Sequence, residues 1–437
     1  MTMELLQSVL KDITLAALIA AQKSSFGIDG LKSAVAFFDP RKDQLITSVD
    51  SFPRAVDALG QLAAVREYYG APQATRLAIQ FVFNACGNAA GGLPHEDAFE
   101  RTWANFAQEL STPVWVFKVV GNLQNIECAA APLDLGQGVS IRGRSFEELS
   151  TLLNWGDYEL EELTKDWMAG ANSSYVMLIE KEVPKSPANI INASDGCEYP
   201  RAAQALLAMR LHGPGDVRLG RLFAARPAAF NVGLGGLSSQ GFTHWHPGPP
   251  FRLGPEDVPT ITRTCQDLQK LEAQGSDSNR NLLLALRSFS SLYDRLFHQA
   301  DDRVVDAITA LEALWKLDVE LSFRLAFRTA SLLATSDDDR IAIYETLVEY
   351  YKIRSKVVHG GSLNDVQSQR LHNDEPLRSI VRRTLKAFLH LAVNPGDWTL
   401  NRVDREADKA LLHDAGRRAL QAAMGLRPPI LGTGQMS

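Results

Sequence analysis

Arg354 and His359 stand five residues apart in the stretch LVEYYKIRSKVVHGGS, residues 347–362, and their side chains suit complementary parts of one reaction. An imidazole titrates near neutrality and moves a proton either way. A guanidinium stays charged and presents a planar fork that fits phosphate oxygens. Together they supply what ribose-assisted RNA cleavage needs without a metal: a base for the 2′-hydroxyl proton, a cation for the crowded phosphate and an acid for the leaving 5′-oxygen. Ser355 could orient the pair or the ribose, and Lys356 could reach a phosphate. A structural alternative stands beside this one: His359 helps cap a helix, and Arg354 pairs with a carboxylate such as Glu312 or Glu349. Spacing alone leaves both open.

The element that must position the pair is predicted as a helix over 337–359. Ile341, Tyr344, Val348, Tyr351 and Ser355 form one row, widened by Leu347 and Tyr350, which sets Arg354 on the flank of an apolar face. His359 stacks over Ser355, and five helical residues turn about 140°. The arginine must therefore reach back toward the imidazole, or toward a copy of the helix in a second subunit. Gly360-Gly361 offers a left-handed stop that leaves His359 at an open helix end.

That helix sits in a chain whose character changes near residue 250. The runs 33–40, 76–85, 113–122 and 173–183 are short, β-branched or aromatic and bounded by turn residues, and they read as strands. Helical patterns over 52–69, 95–110 and 200–212 alternate with them. ITLAALIAA, 13–21, is too short for a bilayer and reads as a buried amphipathic helix. The stretch 233–255 is crowded with Gly and Pro and marks a boundary or an exposed loop. Beyond it only helical periodicity remains, over 257–274, 279–297, from Asp301, 321–334, 337–359, 375–393 and 405–424. The expected class is α+β: a mixed α/β domain over 1–256, with a sensing or regulatory role, then an all-α bundle over 257–437.

Bulk properties narrow the partners. The 437 residues carry 45 Lys plus Arg against 51 Asp plus Glu, a net charge of −6, so nucleic acid would have to be met by a local patch. Cys86, Cys128, Cys197 and Cys265 are scattered without a CxxC pair, as expected for reduced thiols in a cytoplasmic protein. Phosphate-loop, dinucleotide and nucleophile-elbow motifs are absent. His95-Glu96 lacks a second zinc ligand because Phe99 stands in its place, and no base accompanies Cys265. His244 and His246 could share a metal on a strand, but Pro247–Phe251 offers no third ligand.

ITALEALWK, FRLAFRTASLLA and RSKVVHG behind its tyrosines, in that order along the chain, resemble the HEPN superfamily. Within it the likeness is to the ApeA-like HEPN domains of bacterial defence proteins. Arg354 and His359 match that family's arginine–spacer–histidine signature, and Ser355 stands where active members usually carry Asn, Asp or His. The likeness covers roughly residues 260–400. It implies a HEPN-type bundle, a homodimer whose two Arg–His pairs share one cleft, and a metal-independent endoribonuclease without a cofactor. RNA, tRNA among the candidates, is the implied partner, with antiviral defence by abortive infection or a toxin role as the setting. Arg378, Arg382 and Lys386, at four-residue steps with Arg383 beside them, form a basic row opposite Leu377, Val381, Leu385 and Phe388. RNA-backbone contact and a solvated helix face are both open for that row. Arg324 and Arg328 form a second four-step pair that reads equally as structural ions. Two rivals remain: a non-catalytic HEPN module that dimerises or binds nucleotides, and a ligand or metal site in the first half around His244 and His246.

Overall fold

The computed structural model describes residues 3–23, 40–90, 95–143, 174–187, 199–225, 236–237, 248–275, 277–295, 299–316 and 320–426. It is mixed, with a sheet and helices in the N-terminal part and helices throughout the C-terminal part. The chain divides into two compact units. Met1–Gln124, Ala131–Ala202 and Leu219–Thr243 form a sheet unit, and Asn125–Ala130, Ala203–Arg218 and His244–Ser437 a helical unit. The expected cut at 256 is a single point, whereas the chain joins the helical unit twice before staying in it.

The sheet unit begins with helices α1 (Met3–Lys23), α2 (Pro40–Thr47), α3 (Phe52–Gln61), α4 (Ala63–Tyr68), α5 (Ala74–Ala90) and α6 (His95–Ser111). α1 contains the apolar run 13–21 and buries Leu6, Leu10, Ile13, Ala17 and Ala21, the expected amphipathic pattern. The run 76–85, expected as a strand, lies inside α5. Its buried residues Leu77, Ala78, Phe81, Val82, Ala85 and Cys86 recur at three and four, which is helical spacing that β-branched and aromatic content masked. The expected strand over 33–40 falls almost wholly outside the described residues.

The strands are β1 (Val114–Gln124), β2 (Ile126–Cys128), β3 (Leu133–Gly136), β4 (Val139–Gly143) and β5 (Tyr175–Pro184). After helix α7 (Tyr199–His212) come β6 (Arg218–Ala225), β7 (Gly236–Leu237) and β8 (Phe251–Leu253). Among the described residues six strands form one sheet in the order β3-β4-β5-β1-β6-β7. β1 and β5 pair antiparallel from Val114↔Pro184 to Leu123↔Tyr175. Along β1, Trp115 and Phe117 alternate with less buried residues and the run from Val119 to Leu123 is buried throughout, as in a strand covered on both faces.

In the helical unit β2 and β8 pair in parallel, Ile126 opposite Phe251. Asn125, in the left-handed region at φ 56°, anchors that pair by donating its amide to the carbonyls of Asp216, Gly248 and Pro249 at 3.3, 3.2 and 3.1 Å. The helices are α8 (Val258–Ala273), α9 (Arg280–Asp294), α10 (Ala300–Trp315), α11 (Leu321–Leu333), α12 (Asp337–Val358), α13 (Asp365–His372), α14 (Glu375–Val393), α15 (Leu400–Leu412) and α16 (Asp414–Ala423). The helix expected over 405–424 is two, because His413 is extended. α13, which the sequence pattern did not signal, starts at a capping box between Asn364 and Gln367. Among the described residues no helix is long and apolar enough to cross a membrane.

Candidate functional site

α12 positions both members of the Arg–His pair. The hydroxyl of Ser336 caps it by accepting from the backbone of Asp339 at 3.1 Å, and Asp337–Asp339 place negative charge at its positive end. Its inner face is Ile343, Leu347, Tyr350 and Ile353. The row read from the sequence lies further round the helix. Tyr344, Val348, Tyr351 and Ser355 are half-buried, while Ile341 and Val358 are 57% and 49% exposed. Phe323 of α11, also exposed, stacks on Phe327 at 6.0 Å and meets Tyr344 edge-on at 6.4 Å. α12 therefore carries two apolar faces, one buried within its unit and one partly open.

The helix ends in a Schellman turn. Gly360 N–H donates to the carbonyl of Val357 at 3.2 Å and Gly361 N–H to that of Lys356 at 2.7 Å, with Gly360 at φ 68°. His359 is the C-terminal cap residue, its N–H bonded to the Ser355 carbonyl at 3.1 Å. Its side chain is exposed, and among the described residues no hydrogen bond or ion pair engages the ring. The open helix end expected from the two glycines is present.

Arg354 rises from the edge of the inner face and is half-buried. Its Nη2 reaches Glu312 Oε2 on α10 at 3.5 Å, while the Tyr351 hydroxyl donates to Glu312 Oε1 at 3.2 Å. The guanidinium carbon lies 5.9 Å from the centre of the Tyr351 ring. Burial, and then the Glu312 charge, holds the Tyr351 hydroxyl above its ordinary pKa, so it remains a donor. The Arg354–Glu312 contact is the one the structural alternative expects. The place of Glu312 beside Arg354 fits ITALEALWK, where it follows buried Ile308 by four residues and so sits at the margin of the helix's inward face.

The other expected site residues fare differently. Ser355 is half-buried next to Arg354. Lys356 is drawn toward α13, where Nζ donates to Gln367 Oε1 at 2.9 Å, part of that helix's capping box.

The basic row on α14 is corrected by the structure, because Arg378 and Arg382 are each only 5% exposed. Arg378 pairs with Asp374 at 3.1 Å and Glu375 at 3.0 Å. Arg382 donates to the carbonyl of Arg210 at 2.9 Å, to Glu375 at 3.2 Å and to the Tyr293 hydroxyl at 3.3 Å. Arg383 donates to the Leu333 carbonyl at 2.8 Å. Lys386 is half-buried, and burial, then the Arg382 charge, pulls its pKa below the ordinary lysine value. Arg378 and Arg382 are therefore structural cations and cannot face RNA, while Arg383 and Lys386 are half-buried. Arg324 and Arg328 are structural too, converging on Asp408 with Nη2 contacts of 2.7 and 2.8 Å.

Among the described residues no group of three or more His, Cys, Asp or Glu is placed to hold a metal. His244 and His246 lie outside the described residues, as does Cys197. Comparison of the chain with protein-family models, with curated proteins and with solved structures finds no match to any of them.

Proposed function

We propose that the helical unit is a metal-independent endoribonuclease module of the HEPN type, acting in bacterial anti-phage defence or as a toxin in the cytoplasm. His359 serves as general acid or base: a neutral imidazole takes the ribose 2′-hydroxyl proton, the 2′-oxygen attacks the adjacent phosphorus, and an imidazolium gives a proton to the 5′-oxygen as its bond to phosphorus breaks. That route yields a 2′,3′-cyclic phosphate and a 5′-hydroxyl end. Arg354 steadies the charge on the phosphate, and Ser355 orients the pair or the ribose. The observation that carries this reading is the helix end itself: an exposed, unengaged imidazole five residues beyond a half-buried guanidinium on the same helix. The partly open apolar row ending beside the pair gives a second copy a surface on which to complete the cleft as a homodimer. The sheet unit is assigned a sensing or regulatory role.

A second reading is favoured by the 3.5 Å contact between Arg354 and Glu312, which ties the arginine into the fold. On that reading the unit is a non-catalytic HEPN module for dimerisation or nucleotide binding. Incubation of the purified protein with total tRNA in EDTA separates the two. The nuclease reading expects cleavage that falls on the order of a hundredfold or more in Arg354→Ala and His359→Ala. Unchanged cutting in either variant removes that residue from the mechanism.

A further inference from the structure

Glu312 divides its carboxylate between two groups of α12, and the division leaves Arg354 half committed. One oxygen accepts from the Tyr351 hydroxyl at 3.2 Å, the other faces Arg354 Nη2 at 3.5 Å. Arg354 Nε is shielded from solvent without a hydrogen-bond partner, and among the described residues Nη1 has none either. The guanidinium is thus held by one corner, its side chain 24% exposed and the Tyr351 ring nearby. A charged fork on four rotatable bonds samples many directions unless something fixes one end. A carboxylate that is itself fixed by a tyrosine does so while leaving a donor edge for an incoming oxyanion.

We propose that Glu312, with Tyr351 behind it, is a positioning residue that aims the free edge of Arg354 at the scissile phosphate. The proposal rests on the nuclease reading above. Neither residue touches the reacting atoms; both act through the arginine. A gap of 3.5 Å is long for a charge-assisted hydrogen bond, so the carboxylate guides the guanidinium without neutralising it as a tight bidentate pair would.

The test uses full-length Glu312→Ala, Glu312→Gln and Tyr351→Phe proteins and three readouts: steady-state RNA cleavage, thermal midpoint, and the rate at which phenylglyoxal modifies Arg354, followed by peptide mass spectrometry. Glu312→Ala is expected to lower kcat roughly tenfold with KM held within about twofold, because misaimed catalytic groups lose rate more than binding. Glu312→Gln, which keeps one acceptor oxygen, should fall between it and wild type, and Tyr351→Phe should shift kcat less in the same direction. Arg354 labelling should accelerate in the same order. A merely structural role would lower the midpoint and leave kcat per folded molecule unmoved; that result, or a change in KM alone, overturns the proposal. Wild-type protein that cuts no RNA sinks the nuclease reading, and the labelling then judges the positioning separately: equal rates in all variants would overturn it too.

Discussion

Replacing Arg382 by alanine separates a structural cation from an RNA-binding one. The side chain is 5% exposed and makes three contacts: Nε to the Arg210 carbonyl at 2.9 Å, Nη1 to Glu375 at 3.2 Å and Nη2 to the Tyr293 hydroxyl at 3.3 Å. Arg210 and Arg378 flank the same tyrosine ring at 4.7 and 5.5 Å. Truncation strips a buried carbonyl and a hydroxyl of their donor and leaves Glu375 to Arg378 alone, a loss on the order of 3–5 kcal/mol for a broken buried pair. Removing one of three neighbouring cations relieves some mutual repulsion, which places the expectation near the lower figure. Against a domain stability of about 5–15 kcal/mol, that is a large share. With a urea dependence of about 2–3 kcal/mol per molar, the midpoint of the helical unit should fall by about 1–1.5 M. Urea unfolding followed by far-ultraviolet circular dichroism reads this directly. An unchanged midpoint, accompanied by weaker RNA binding and a shallower salt dependence, would refute the burial argument and restore Arg382 as a phosphate contact.

Other expectations follow from the same geometry. Gly360→Ala should cost about 1–2 kcal/mol, because no atom lies within 4 Å of the added Cβ and only the left-handed backbone at φ 68° opposes it; thermal melts check this. Asp408 is held down to about 2 by its hydrogen bond from Arg328 and by Arg324. Its folded pKa lies below the unfolded value of 3.8, so its contribution is present above that value and lost as pH falls toward 2. Asp408→Asn should flatten that acid limb of a stability–pH curve. Lys185 is pushed down to about 8 by burial, with Glu109 opposing the shift, so the fold disfavours its charged form. Stability of the sheet unit should rise between about pH 8 and the ordinary 10.5, and Lys185→Met should abolish that rise.

Much of the helical unit could be read in advance because its signals are local. Ser336 caps α12 with its own side chain, and Gly360-Gly361 terminates it in the expected turn. What could not be read depends on distant partners. The arginines of α14 look solvent-facing in the sequence because nothing nearby shows that Arg210 and Tyr293 will supply acceptors from 172 and 89 residues away. The open row of α12 reads as a buried face in the sequence because its apolar residues recur at helical spacing as faithfully as Ile343, Leu347, Tyr350 and Ile353 do. In α5, aromatic and β-branched content outweighed a three-and-four period that the burial pattern makes plain.

The chemistry assigned to His359 is tested most directly by the ends it leaves on RNA. Wild-type protein with tRNA in EDTA should produce fragments ending in 2′,3′-cyclic phosphate, paired with 5′-hydroxyl ends, and folded His359→Ala protein should produce them on the order of a hundredfold more slowly or not at all. Fragments with the same ends and at the same rate from His359→Ala would contradict the account.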